Sequence, residues 1–327
     1  MNIIKKLPLL ILFSITVVYA DITSYPVNFS EQYQVGDTYM GIRLGGTIEL
    51  TNGEIDGFKL AELSGLAWDE DEKLLYAVTD KATLFHLRPI ITDNILTDVN
   101  LIATFQLQNK KSWWLGSRDS EGLAILNGNN GKVGDSELVI SFERIPQIAR
   151  FTPKGKKLAN YTLPNRLRNI TKYSSLNKLF EAVTVHPDLG ILTAPEWPLK
   201  GNKGKIVIYA LDGQQWTFPH HTSPNSAVVA LETLEDGSIL VLERAFVSPH
   251  KPLVISLRQV WLPISDKCSK QVKVKQVAVF NSHQGWQLDN FEGLTHHQGA
   301  YFFMVSDDNN RSSQRTLLSY FEIVNNN

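Results

Sequence analysis

The sequence predicts an all-β fold closed into a propeller, and three observations carry that expectation. Short runs rich in Val, Ile, Leu, Tyr and Phe alternate with Gly, Asn, Asp and Pro punctuation. The runs fall into sets of about four strands that recur every ~40–60 residues. Within most sets, the first strand carries Glu-Gly-Leu or a relative and the second ends in one or more carboxylates.

The first set holds strands at 63–68, 74–80, 83–87 and 101–107. The second holds 121–126, 137–144, 147–152 and 157–163. The third holds 181–186, 190–196, 205–211 and 215–218, and the fourth 227–234, 238–244, 253–262 and 272–280. The last holds 291–296, 300–307 and 316–323. Asp236-Gly237, Asp212-Gly213 and Pro153-Lys154-Gly155 supply chain reversals between strands. Helical periodicity is scarce, and 166–179 is the best stretch for it. Residues 41–50 and 58–60 offer strands for a sixth set, and a blade shared by the two termini would remove exposed sheet edges. Six blades are therefore expected, with five or seven as the alternatives. A β-sandwich would leave the recurring acid-tipped strand pairs unexplained.

Residues 1–20 read as an export signal: Lys5 and Lys6, an apolar run at 7–18, then Val18-Tyr19-Ala20 at a cleavage point. The run is short for a membrane span, so an uncleaved anchor is the lesser alternative. The expected mature chain, 21–327, is a single propeller domain, periplasmic or secreted, without stable membrane association. A net charge of −1 gives no basic field to recruit nucleic acid. Cys268 stands alone, so no internal disulfide can form. Zinc-type Cys/His spacing, His-Glu-x-x-His, a phosphate-cradling glycine loop and Gly-x-Ser-x-Gly are all missing.

Antiparallel neighbours place the start of one strand beside the end of the next. Glu121 is thereby paired with Glu143, Glu181 with Glu196, and Glu292 with Asp307 and Asp308. The first set has Ser64 opposite Asp80, and the fourth has an apolar residue near Val228 with Glu243 opposite, so the acidic ring is incomplete. Lys81, Arg144 and Arg244 directly follow three of the acids, and Arg118, Arg311 and Arg315 lie close in sequence. Like charges gathered at one mouth need cations. Either a hard divalent ion such as Ca²⁺ or structural ion pairs with Arg and Lys can supply them. A single Glu-Gly-Leu serves packing as readily as chemistry, and Glu143-Arg144 and Glu243-Arg244 suit structural pairing. Asp307-Asp308-Asn309-Asn310 is the strongest ligand cluster, although such residues also build turns. His296-His297 and Trp113-Trp114 suit packing, and His220-His221 suits a loop.

The chain resembles the bacterial phytase-like family described as having esterase-like activity of phytase. The resemblance rests on Glu62-Leu-Ser-Gly-Leu66 with Val78-Thr-Asp80, on Ser120-Glu-Gly-Leu-Ala124 with Ser141-Phe-Glu-Arg144, and on Leu240-Val-Leu-Glu-Arg244. It is clearest in Asp289-Asn-Phe-Glu-Gly-Leu294 with Val305-Ser-Asp-Asp-Asn309, and it spans 61–323. It implies an exported propeller that hydrolyses small-molecule phosphate esters with a divalent metal, Ca²⁺ being the expected ion. On that reading Glu121, Glu181, Glu292, Asp307 and Asp308 hold metal. Lys81, Arg144 and Arg244 bind phosphate, and Glu143, Glu196 or Glu243 activates water. A non-catalytic ligand- or protein-binding propeller, and a metal-dependent esterase or lactonase, are the alternatives.

Overall fold

Along the inner strands of every blade apolar residues point to both faces, and both faces are buried. In the computed structural model the described residues are 23–51, 54–55, 57–108, 119–175, 178–202, 204–263 and 272–324. Residues 1–20, Trp113-Trp114, Arg118 and Cys268 lie outside them.

The N-terminal strands are β1 (Ser24–Pro26), β2 (Thr38–Tyr39) and β3 (Ile42–Leu50), followed by a small hairpin, β4 (Glu54–Ile55) and β5 (Phe58–Lys59). The first blade is β6 (Leu63–Asp69), β7 (Leu74–Thr79), β8 (Thr83–Thr92) and β9 (Ile95–Gln106). The second is β10 (Ser120–Leu126), β11 (Glu137–Phe142), β12 (Gln147–Phe151) and β13 (Lys157–Asn160). The third is β14 (Phe180–His186), β15 (Gly190–Pro195), β16 (Lys205–Ala210) and β17 (Gln215–Pro219). The fourth is β18 (Ser226–Thr233), β19 (Ile239–Ala245), β20 (Val254–Trp261) and β21 (Lys273–Asn281). The last contains β22 (Asn290–His296), β23 (Tyr301–Asp307) and β24 (Thr316–Ile323). Each of the first four blades is an antiparallel sheet whose strands follow in sequence order.

The propeller has five blades, the lower alternative to six. β3 does not begin a further blade. It pairs antiparallel with β24, from Leu50 opposite Thr316 to Ile42 opposite Ile323, and so completes the fifth. Both halves of that sheet come from opposite ends of the chain, which closes the ring and leaves no inter-blade gap. Five apolar clusters confirm the closure, one at each blade interface. In blade one, Leu75, Ala77, Phe85 and Leu87 face the fifth blade, whereas Leu74, Tyr76, Val78 and Leu84 face the second.

Two local features depart from the sequence expectation. β8 and β9 extend past the expected ends into a long hairpin, turning at Asp93-Asn94, both in the left-handed region (φ 51° and 62°). That pair of dihedrals is a type I′ turn, which matches strand twist. The helical stretch shrinks to α1 (Asn165–Arg168) and a 3₁₀ turn at Ile170–Lys172, with Asn169 capping the second through Thr171 N (3.1 Å).

The inner strands β6, β10, β14, β18 and β22 touch in a ring, and the Gly of Glu-Gly-Leu explains how closely. A Cβ on Gly65 would sit 2.5 Å from the Glu121 carbonyl oxygen and 2.8 Å from Leu123 N. One on Gly122 would sit 2.7 Å from the Glu181 carbonyl oxygen and 2.8 Å from Val183 N. These obstacles are backbone and cannot swing away. The axial space is only about 10 Å³, the least that holds one water, so the axis is packed. Gly122→Ala is accordingly expected to destabilise the fold by about 2–3 kcal/mol through overpacking, measured as a lower urea midpoint at unchanged slope.

Candidate active site at the acidic mouth

The same strands place the acids. Each inner strand is bulged near its start, where the register skips Ser64 in β6, Glu121-Gly122 in β10, Glu181 in β14, Val229 in β18 and Glu292 in β22. A bulge re-aims a side chain out of the regular alternation. Equivalent positions at the mouth end of the neighbouring strand hold Asp80, Glu143, Glu196, Arg244 and Asp307, as the pairings Leu63 with Thr79, Ser120 with Phe142, Phe180 with Pro195, Val228 with Glu243 and Phe291 with Ser306 require.

Blade four therefore has Val229 and Arg244 where the others have Ser or Glu and a carboxylate. Arg244 reaches into the acids: Nη1 donates to Glu292 Oε1 and Asn290 Oδ1, and Nη2 lies 3.4 Å from Glu196 Oε1. Glu243 points the other way, as strand alternation demands. It is fully buried, accepts from Arg258 Nε (2.5 Å), Ser226 Oγ (2.9 Å) and His221 N (2.9 Å), and stands apart from the other acids.

The remaining candidates converge to different degrees. Glu121, Glu181, Glu292 and Asp307 lie within one field of negative charge that includes Asp80, Glu143 and Glu196. Glu143 accepts from Leu179 N at 3.3 Å, and Glu196 accepts from Lys178 Nζ at 2.8 Å. Asp308 is turned to backbone, accepting from Glu62 N (3.0 Å) and Asn310 N (2.9 Å), and so ties blade five to the approach to blade one. Lys81 pairs with Glu62, and Arg144 Nε lies 2.5 Å from Asp119 Oδ2. His296 and His297 lie at the far end of β22. His296 bonds the Gly299 carbonyl oxygen and His297 the Tyr320 hydroxyl, which removes both from the mouth.

One grouping was not foreseen. Asp80, Asp119 and Glu121 each offer a carboxylate oxygen within 4.8 Å of the others. Asp80 and Asp119 also line a cavity of about 680 Å³, together with Glu62, Lys59, Lys81 and Arg144. Asp119 had a sequence signal: Asp119-Ser-Glu121 matches Asn290-Phe-Glu292 and Glu62-Leu-Ser64, a polar residue two before the bulge.

Crowding and burial raise these carboxyls together. Burial, then the charges of Glu292, Asp307, Asp119 and Glu62, pushes Asp80 up to about 9. Burial, then Glu292, pushes Asp307 up to about 8. Burial, then Asp119, takes Glu143 to about 7, and Glu121 and Glu181 stand well above the ordinary carboxylate range for the same two reasons. Asp80 Oδ1 is buried without a hydrogen-bond partner among the described residues. An all-carboxylate donor set with an orphaned buried oxygen fits a hard divalent cation, Ca²⁺ included.

The family model described as "Phytase-like: Esterase-like activity of phytase" matches residues 59–310, and the chain belongs to that family. No curated protein matches the chain. Among solved structures, the β-propeller domain of Cps50 (Swd1) from Myceliophteria thermophila is similar at 10% identity and a TM-score of 0.39, covering 92% of this chain and 100% of that one. The Dos1 propeller is similar at 10% identity and a TM-score of 0.37, covering 90% and 82%.

Two outcomes follow from the electrostatics. Below about pH 4 the acids are protonated in both folded and unfolded chains, and between there and about 9 the folded state holds more protons. Stability in chelator should therefore fall as pH rises across that window, and Ca²⁺ should flatten the slope in a thermal-shift series. Arg244→Met, which takes the paired cation from buried Glu292 and leaves Glu196 only Lys178, should cost about 3–5 kcal/mol by urea unfolding in chelator.

Proposed function

We propose that this phytase-like propeller is an exported hydrolase of small-molecule phosphate esters, assisted by a divalent cation, with Ca²⁺ the expected ion. The observation that carries the reading is the Asp80, Asp119 and Glu121 cluster, two members of which open onto the 680 Å³ cavity beside Lys59, Lys81 and Arg144. Small-molecule sites commonly have about this volume with a few convergent polar groups. Export is supported by the leader-like residues 1–20. No helix among the described residues is long and apolar enough to cross a membrane, and no nucleic-acid partner is expected.

Bound at these carboxylates, the cation would neutralise phosphoryl oxygens and acidify a water. The chain's own residues have separable parts. Asp80, Asp119 and Glu121 would hold the ion, with Glu181, Glu292 and Asp307 completing the negative field around it. Lys81 and Arg144 are substantially exposed at the cavity wall and can turn from Glu62 and Asp119 to phosphate oxygens. Glu143, at about 7, is matched to taking a proton from water near neutral pH. Glu196 suits that part less, being held by Lys178 and Arg244, and Glu243 less again, being held by Arg258. Arg244 neutralises Glu196 and Glu292 and so limits the charge at the mouth.

A carboxylic-ester or lactone hydrolase is the second reading. Lys81 and Arg144 are already matched by Glu62 and Asp119, which leaves Lys59, bonded to the neutral Asn310, to meet a phosphate dianion.

Phosphate release from aryl phosphates and phytate, beside turnover of aryl acetates and lactones, with chelator and with Ca²⁺, decides between the two. Activity on phosphate esters that chelator abolishes supports the first reading, and release unaffected by chelator overturns its metal dependence. Glu121→Gln is expected to lower turnover at least ~100-fold while raising the melting temperature in chelator, because it removes a buried like charge. A fall in both would mark Glu121 as structural.

A further inference from the structure

A second cavity, of about 480 Å³, opens on the same face between blades three and four. Its lining differs in kind from the acidic mouth: Trp197, Pro198 and Leu199 follow β15, and His220, Ser223 and Asn225 come from the loop leading into β18. The apolar surface continues outward at Phe246 and Val247, 50% and 46% exposed, and Asn225 Nδ2 bonds the Phe246 carbonyl oxygen at 3.4 Å.

The cavity adjoins the blade-three side of the mouth. Glu196, a member of the acidic cluster, is the residue before Trp197. Lys178 donates to Glu196 Oε2 at 2.8 Å and also lies 5.0 Å from the centroid of the Trp197 ring. The Trp197 ring, with Pro198 and Leu199, gives the cavity an apolar wall suited to another ring.

The mouth narrows the choice of ligand further. Lys81, Arg144, Lys178 and Arg244 are each paired with a carboxylate of the mouth. A polyphosphorylated ligand would meet more anions than free cations there, whereas a monoester brings one anionic end and one organic end.

We infer that the Trp197 cavity is a substrate subsite that takes the apolar, ring-bearing alcohol portion of a monoester whose acidic end lies at the mouth. The inference rests on reading the mouth as the hydrolytic site, and the experiment separates the two. Calorimetric titration with 2-naphthol reads the subsite alone, and turnover of 2-naphthyl phosphate reads both. Trp197→Ala removes the wall, and Ser223→Trp fills the cavity from a partly exposed loop position, so the two variants carry different folding risks. Each is expected to weaken 2-naphthol binding at least ~10-fold and to raise KM for 2-naphthyl phosphate by a similar factor, with kcat and inhibition by inorganic phosphate nearly unchanged. Phytate should be a poorer substrate than the naphthyl ester. Binding lost in both variants of a protein that turns over no ester removes the hydrolase and leaves the subsite. Naphthyl phosphate turnover untouched by either variant removes the subsite and leaves the hydrolase. No binding of 2-naphthol to the unaltered protein, or equal binding to all three, overturns the inference.

Discussion

The backbone-to-backbone approach of the five inner strands is the constraint on which the rest depends. Gly65 and Gly122 admit their neighbours' carbonyl and amide groups at distances that no Cβ tolerates. That approach sets a narrow axis, and a narrow axis closes with five blades. The bulge next to each of these positions then turns one side chain per strand out of the regular alternation. The Glu of Glu-Gly-Leu and its Gly thus have linked tasks: one supplies charge and the other lets the charged positions crowd together. A wider ring would relax the packing and separate the acids.

Crowding has an electrostatic cost that the molecule meets in two places by different means. On the side of blades three to five, Arg244 occupies a position that is acidic in every other blade and is shared between Glu196 and Glu292. On the side of blades one and two, Asp80, Asp119 and Glu121 draw together, and Arg144 matches only Asp119. The mouth is therefore asymmetric, internally neutralised on one side and poised for protons or a cation on the other. This asymmetry separates a site from a mere ring of charge.

Much of this was legible in the residues. The strand sets, the acid-tipped pairs and the family motifs all follow from alternation and turn chemistry, which are local. Blade four shows where local reasoning stops. Glu243-Arg244 reads as an acid followed by a neighbouring cation, yet the register across the β18 bulge exchanges their places: Arg244 reaches the mouth and Glu243 turns to Arg258. A one-residue shift reverses the face of every side chain beyond it, and no adjacent residue announces the shift. Asp119 was similarly hidden, because it lies just outside a strand and joins Asp80 of another blade only in three dimensions.

By itself, the sequence determined that the chain is a repetitive, acid-tipped β structure of the phytase-like family, because strand periodicity, turns and motifs are written in contiguous residues. Only the tertiary structure decided that β3 completes a fifth blade in place of starting a sixth, that Arg244 and not Glu243 meets the acids, and that an apolar cavity stands beside them. Each of these depends on which residues distant in the chain share an interface, and ring closure over hundreds of residues settles that.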